Sequence, residues 1–209
     1  IGCGNMAKAI IAGLIKTNTF LPEEIIASDN SEKALSDAKN MYGINTTVNN
    51  SELVLESEMI LLAVKPQVIA SVINEICDTV SENKIIISIV AGQSIDRIES
   101  LFGRNIKLIR TMPNTPALCG EGMTAVCANG NVTDVELAYA LKILSSFGKA
   151  EVVSEKLMDA VVAVSGSSPA YVAMFIEAMA DAAVAEGMPR AQAYTFAEQA
   201  VYGTAKLLI

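Results

Sequence analysis

Two glycines and an alanine are spaced as G-x-G-x-x-A at the start of the chain, in Gly2-Cys3-Gly4-Asn5-Met6-Ala7, ahead of an amphipathic stretch. The chemistry this spacing serves is the grip on a pyrophosphate. Gly2 suits a tight turn, Gly4 lets a phosphate approach the backbone, and Ala7 allows close helix packing with the helix N-terminus towards the phosphates. The next predicted strand ends at Ser28-Asp29, about 20 residues beyond Ala7, where a ribose-reading group belongs. A carboxylate there accepts from a free ribose 2′-hydroxyl and repels a 2′-phosphate, which favours NADH. With Asp29 turned away, Ser28, Asn30, Ser31 and Lys33 offer donors to a phosphate, and Asp29 equally suits an Asx turn. Ala63-Val64-Lys65-Pro66 and Ala91-Gly92 each follow a predicted strand and so emerge at the edge where open α/β sheets bind ligands. Each also reads singly as an ordinary turn.

These groups need elements to hold them. β-branched runs at 25–28, 59–64, 85–90 and 106–111 alternate with helical spacing at 6–16, 31–42 and 66–80. Ser31 is placed to cap a helix and Gly43 to end it. That order predicts an α/β fold built on a parallel sheet with helices on both faces, a dinucleotide-binding domain of the Rossmann type. A Pro-rich loop at 112–116 follows, then strands at 124–128 and 151–153 around a helix opened by a Thr133/Glu136 capping box. Beyond residue 154 the pattern is helical, interrupted at Glu186-Gly187-Met188-Pro189. The boundaries predicted are 1–154 for the dinucleotide domain and 155–209 for a helical one. On the first long helix of the second part the polar stripe is little more than Glu177 and Asp181, one turn apart. Helices so apolar need a cover their own chain does not supply, and a second copy of the chain is the expected one.

Composition narrows the chemistry. The 209 residues are 52% hydrophobic and 18% charged, which suits a packed core and excludes disorder. A net charge of −8 without a basic run argues against nucleic acid. The absence of histidine removes Ser-His-Asp and Cys-His catalysis and His-ligated metals. Cys3, Cys77, Cys119 and Cys127 form no C-x-x-C pair and read as free thiols of a reducing compartment, three of them buried, with Cys3 inside the phosphate loop and open to alkylation. No unbroken apolar run approaches the roughly 20 residues a membrane span needs, so no membrane partner is expected.

Taken together, Gly2-Cys-Gly-Asn-Met-Ala7, Val64-Lys-Pro66, Arg110-Thr-Met-Pro-Asn-Thr-Pro-Ala117, Val164-Ser-Gly-Ser-Ser-Pro-Ala-Tyr171, Glu177-Ala-Met-Ala-Asp-Ala-Ala183 and Gly187-Met-Pro-Arg190 resemble pyrroline-5-carboxylate reductase in family order from end to end. The resemblance implies NADPH- or NADH-dependent reduction of L-1-pyrroline-5-carboxylate to L-proline, the last step of proline biosynthesis, in the cytoplasm. It implies a homodimer through the C-terminal helices, or a larger oligomer built from it. It places cofactor contacts on Gly2, Cys3, Gly4, Asn5, Met6 and Ala7, on Ser28 and Asp29, on Asn50, on Ala63, Val64, Lys65 and Pro66, and on Ala91 and Gly92. Asn50 is otherwise a helix N-cap. The resemblance puts Glu155 near the substrate, where a first-turn glutamate also suits the helix dipole. It also expects most of a first strand before Ile1 and a Ser-Pro-Gly-Gly-Thr-Thr segment after Ile209, so the 209 residues are read as part of a longer chain. No catalytic residue is named.

Arg110 and Asn114 either help close the pocket beside the nicotinamide or satisfy their own loop's backbone. The competing functions are another two-domain oxidoreductase acting on a hydroxyacid or carbonyl, and a dinucleotide-binding sensor without turnover. An imine carries its own proton, so hydride addition needs orientation more than a protein acid, in keeping with the missing histidine.

Overall fold

Every residue of the strand Ile85–Ser88 is buried, with Ile85 and Ile87 in one apolar cluster and Ile86 in another. The pleat sends successive side chains to opposite faces, so such a run requires helices on both sides of its sheet. The computed structural model, which describes residues 1–209, has that arrangement. In chain order its elements are α1 (Asn5–Lys16), β1 (Ile26–Ser28), α2 (Glu32–Tyr42), β2 (Asn45–Thr47), α3 (Asn50–Glu56), β3 (Met59–Leu62), α4 (Ile69–Ile76), β4 (Ile85–Ser88), α5 (Ile95–Phe102), β5 (Lys107–Met112), β6 (Gly122–Ala128), α6 (Asp134–Leu144), β7 (Gly148–Val152), α7 (Met158–Val161), α8 (Ser168–Ala185) and α9 (Arg190–Leu208).

β1 and β2 pair in parallel, and a second sheet runs β3-β4-β5-β6-β7. Ile1 and Gly2 link the two. Ile1 donates to the Leu61 carbonyl (2.7 Å) and accepts from Ala63 N–H (2.8 Å), while Gly2 N–H donates to the Ser28 carbonyl (2.8 Å). Alongside them, between β1 and β3, lies a cavity of about 490 Å³ lined by Ile10, Leu14, Ile26, Leu61 and Ile87. The second sheet departs from the all-parallel expectation at one place, since β6 runs antiparallel to β5. The short connection through the one-turn helix Thr115–Cys119 cannot make the long crossover a parallel neighbour requires.

Local signals placed several elements well. Ser31 caps α2, accepting from Ala34 N–H at 3.2 Å, and the helix stops at Gly43. The helix expected over 66–80 is shorter, with a 3₁₀ turn at Pro66–Val68 and then α4. Arg104 donates to the Cys77 and Val80 carbonyls, satisfying oxygens where the chain leaves the helix. The three-residue β2 is too short to show a period and was not expected, nor was α5, while α3 was anticipated only through the alternative reading of Asn50 as a helix cap.

The Thr133/Glu136 capping box forms, and Lys107 joins it at 2.5 Å from Glu136 Oε1. The Lys107 hydrogen bond, followed by the Thr133 backbone N–H, holds the Glu136 carboxyl down to about 2 from an ordinary 4.5. A group with a lowered folded-state pKa gives stability that is complete above its unfolded value and is lost as pH falls through the folded one. Glu136→Gln should therefore be less stable than the parent at neutral pH, with the gap closing between about 4.5 and about 2. Urea melts across that range measure it; a gap that does not change with pH contradicts the assignment.

The chain divides into a unit of residues Ile1–Val162 and one of Ala163–Ile209, eight residues later than the 154/155 boundary read from sequence. The first unit retains the start of the C-terminal segment because Met158, 1% exposed, packs into its core, and Glu155 bonds to Ile95 and Arg110. The second unit begins within a π-helical turn, Val162–Gly166, and continues as α8 and α9. Their buried residues are Ala180, Ala193 and Ala197, small side chains that let two helices approach closely. Arg190 ties them together by pairing with Asp181 and lies 5.9 Å from the Tyr194 ring. Larger apolar side chains point outward, among them Met174, Phe175 and Phe196 at 67, 59 and 61% exposure. The helical run Glu155–Ala185, with mean hydropathy 1.3, is long and apolar enough to span a membrane by length and composition. The sequence expectation of no such run counted only unbroken apolar residues, whereas alanines around a few charges give the same average.

Candidate functional site

Gly2 sits at φ +91, a conformation open to glycine, and a Cβ there would lie 2.5 Å from the Ala63 carbonyl oxygen. The glycine loop is thus pressed against the end of β3. Gly4 differs: it has extended backbone at φ −77, is exposed, and a Cβ would meet nothing within 4 Å. It caps α1, whose first turn carries no acidic residue and no side-chain cap. Free N–H groups at the positive end of a twelve-residue helix, with open space over the preceding glycine, fit the phosphates of a dinucleotide.

Asp29 anchors this loop. Its Oδ2 accepts from Cys3 N–H and its Oδ1 from Ser31 N–H, each at 2.8 Å. The Asx turn is therefore present, and the same carboxylate ties the end of β1 to the glycine loop. Each oxygen retains acceptor capacity for a ribose hydroxyl. Asn30, Ser31 and Lys33 are exposed beside it. Ser28 and Asn50 are buried, at 0 and 7% exposure. Ser28 Oγ donates to Asn50 Oδ1 (2.7 Å), and Asn50 Nδ2 donates to Glu75 (2.8 Å). These two side chains form a brace from β1 through α3 to α4 beneath the loop. The cap of α3 is Asn49, accepting from Glu52 N–H at 3.1 Å, so the sequence reading of Asn50 as the cap was one residue off. Glu75 had not been singled out, since nothing local in sequence marks a partner 25 residues away.

Cys3 is 1% exposed and packs with Ile11, Ala27 and Leu35, and burial pushes its thiol pKa up. The expected exposed, alkylatable thiol is thus a small core residue. Cys119 is instead the exposed one, and all four cysteines are free. Ala7 is buried as helix packing demands, whereas Asn5 is exposed and Met6 half-buried.

Along the carboxyl ends of the strands, Ala63 and Val64 are half-buried, and Lys65, Pro66, Ala91 and Gly92 are exposed. β3 and β4 pair in parallel with Leu62 opposite Ser88, which puts the two segments on one edge. Farther along it lies a cavity of about 410 Å³ lined by Gly92, Ser94, Arg97, Arg110, Glu155 and neighbouring residues. Arg110, on β5, pairs with Glu155 at 2.7 Å. Asn114 Oδ1 accepts from Met123 N–H at 2.8 Å, holding the Pro-rich loop to β6 as the loop-bracing alternative required. Cys127, opposite Arg110 on β6, has its thiol pushed up to about 11 by burial and by Glu155, with Arg110 opposing.

Two family models match this chain. The one described as NADP oxidoreductase coenzyme F420-dependent covers residues 1–92, and the one described as pyrroline-5-carboxylate reductase dimerisation covers residues 155–209. The pyrroline-5-carboxylate reductase of Escherichia coli (strain K12) is 47% identical over 209 residues, spanning 100% of this chain and 78% of that protein. A solved pyrroline-5-carboxylate reductase from Coxiella burnetii superposes with a TM-score of 0.93 at 35% identity, covering 99% of this chain and 77% of that one. The Plasmodium falciparum pyrroline carboxylate reductase, solved with NADP bound, gives 0.90 at 34% identity, covering 99% and 76%. With a glycine loop shaped for a dinucleotide at one end, a dimerisation segment at the other and such identity between them, the chain belongs to the pyrroline-5-carboxylate reductase family.

Proposed function

We infer that this chain, as a homodimer, reduces L-1-pyrroline-5-carboxylate to L-proline with NADPH or NADH, the last step of proline biosynthesis. The observation that carries the reading is the pairing of Gly2, pressed on Ala63, with an open Gly4 at an uncapped helix N-terminus. In this reading the backbone of Gly4, Asn5 and Met6 receives the pyrophosphate. Asp29 holds the loop and faces the ribose, with Ser31 and Lys33 beside it for a 2′-phosphate. Ala63, Val64, Lys65, Pro66, Ala91 and Gly92 line the remainder. Cys3, Ala7, Ser28 and Asn50 support these groups from beneath, as their burial suggests.

The bound reduced nicotinamide supplies a hydride. The protein's task is then to align an iminium carbon and keep water away, which needs no protein base. Lys65, exposed at the edge, is a cation for phosphate or ribose. Exposed apolar side chains on α8 and α9 supply the surface for self-association, in line with the dimerisation model over 155–209. Four free cysteines agree with a reducing cytoplasm.

The test is oxidation of NADPH and NADH by the purified protein with pyrroline-5-carboxylate, comparing kcat/KM for the two cofactors. Turnover with either supports the reading. Cofactor binding without imine reduction, or turnover only with a hydroxyacid or carbonyl pair, overturns it.

A further inference from the structure

We propose that Glu155 is a positioning residue, a carboxylate clamp that fixes the turn after β4 and the Arg110 side chain at the ligand edge. Glu155 Oε1 accepts two hydrogen bonds, from the backbone N–H of Ile95 at 2.8 Å and from Arg110 Nη1 at 2.7 Å. Ile95 is the first residue of α5, so the carboxylate sits at that helix's N-terminus, where negative charge is favoured. Ser94 Oγ caps the same end by accepting from Arg97 N–H at 3.2 Å.

The turn entering α5 is Ala91-Gly92-Gln93, with Gly92 at φ +70 and exposed. It has few anchors of its own: β4 ends at Ser88, whose Oγ accepts from Val90 N–H at 3.3 Å. The exit of the turn is therefore held by the bonds at Ser94 and Ile95, and the one at Ile95 comes from 60 residues away. Arg110 is opposite Ser88, the last residue of β4, in the β4–β5 register, so one oxygen atom joins β5 to the helix that follows the β4 turn. Arg110 is 14% exposed and Glu155 33% on their side chains, which shields the pair from much of the screening that weakens surface bridges. A residue with this oxygen committed to a backbone amide and a guanidinium acts on the reaction through the turn it holds.

This inference rests on the reading of Ala91 and Gly92 as part of the dinucleotide site. Its test compares Glu155→Ala, Glu155→Gln and Arg110→Met in the full chain by dinucleotide Kd, by KM for each substrate and by melting temperature. Glu155→Ala should weaken NADPH and NADH binding about tenfold, the factor for a lost charge-assisted bond, with KM for pyrroline-5-carboxylate within about twofold of the parent. Glu155→Gln should recover part of that affinity, because its amide oxygen still accepts from Ile95. Adding Arg110→Met to Glu155→Ala should cost less than the product of the two single effects, the mark of a shared interaction.

A rise in KM for the imine with unchanged dinucleotide Kd would make Glu155 a substrate contact and overturn the clamp. Unchanged Kd and KM in all variants would make the pair an idle bridge, with the same consequence. If Glu155→Ala does not fold, Glu155→Gln and Arg110→Met decide by the same two constants. Dinucleotide Kd is read without the imine, so the clamp stays testable even if the parent protein fails to reduce pyrroline-5-carboxylate.

Discussion

Gly2→Ala should destroy dinucleotide binding and destabilise the first unit, whereas Gly4→Ala, two residues on, should weaken binding and leave stability unchanged. At Gly2 the added methyl would stand 2.5 Å from the Ala63 oxygen and 3.1 Å from Val64 Cγ1. Ala63 cannot easily retreat, because its N–H is bonded to the Ile1 carbonyl. Backbone at φ +91 adds roughly 1–2 kcal/mol for a residue with a Cβ. Together these should lower the melting temperature by at least about 5 °C and displace the loop by enough to cost about a hundredfold or more in affinity. At Gly4 the methyl would meet no protein atom, so its effect is confined to the space a phosphate must enter. Thermal melts and cofactor-fluorescence titrations of the two variants separate the outcomes. A folded Gly2→Ala protein with parental Kd would show that the loop does not carry the site.

Phe175→Asp combined with Phe196→Asp should convert the dimer to a monomer and abolish turnover. The two rings lie on α8 and α9, at 59 and 61% exposure, in the segment matched by the dimerisation model. An aromatic side chain buries roughly 150–250 Å² when covered, and at about 25 cal/mol per Å² two of them account for several kcal/mol of association. Two carboxylates at those places must be left in water, so the favourable contribution is lost and a desolvation cost replaces it. Val135→Asp is the control: Val135 is 79% exposed on α6 in the first unit, and its replacement should leave the mass unchanged. Light scattering after size exclusion reads both. Retention of dimer mass by the double variant would move the interface away from α8 and α9.

Much of the site is legible because its signals are local. The G-x-G-x-x-A spacing, the Ser31 cap and the Thr133/Glu136 box are relations between residues a few positions apart, set by helix and turn geometry. What the chain order alone could not show are the relations that depend on distant strands. Glu155 meeting Ile95 and Arg110, and Asn50 meeting Ser28 and Glu75, join residues 22 to 60 positions apart. Cys3 illustrates the same limit: its place in the loop suggested an accessible thiol, and the side chain instead turns inward against Ile11 and Leu35.

The sequence by itself therefore determined the α/β class, the glycine loop ahead of α1 and the sheet edge on which residues 63–66 and 91–92 emerge, and its motif blocks carried the resemblance to the family. Short-range spacing and apolar periodicity are enough for the class, the loop and the edge, since each reports a local backbone geometry. Only the tertiary structure decided that β6 runs antiparallel, that Met158 carries the first unit past residue 154, and that Asp29 ties down the loop. It also decided that Ser28, whose carbonyl holds Gly2, is buried against Asn50, and that one oxygen of Glu155 joins the start of α5 to Arg110 on β5. Those outcomes depend on which buried polar groups find partners once the sheet has closed, and a polar group's partner is set by distance in space, not by position in the chain.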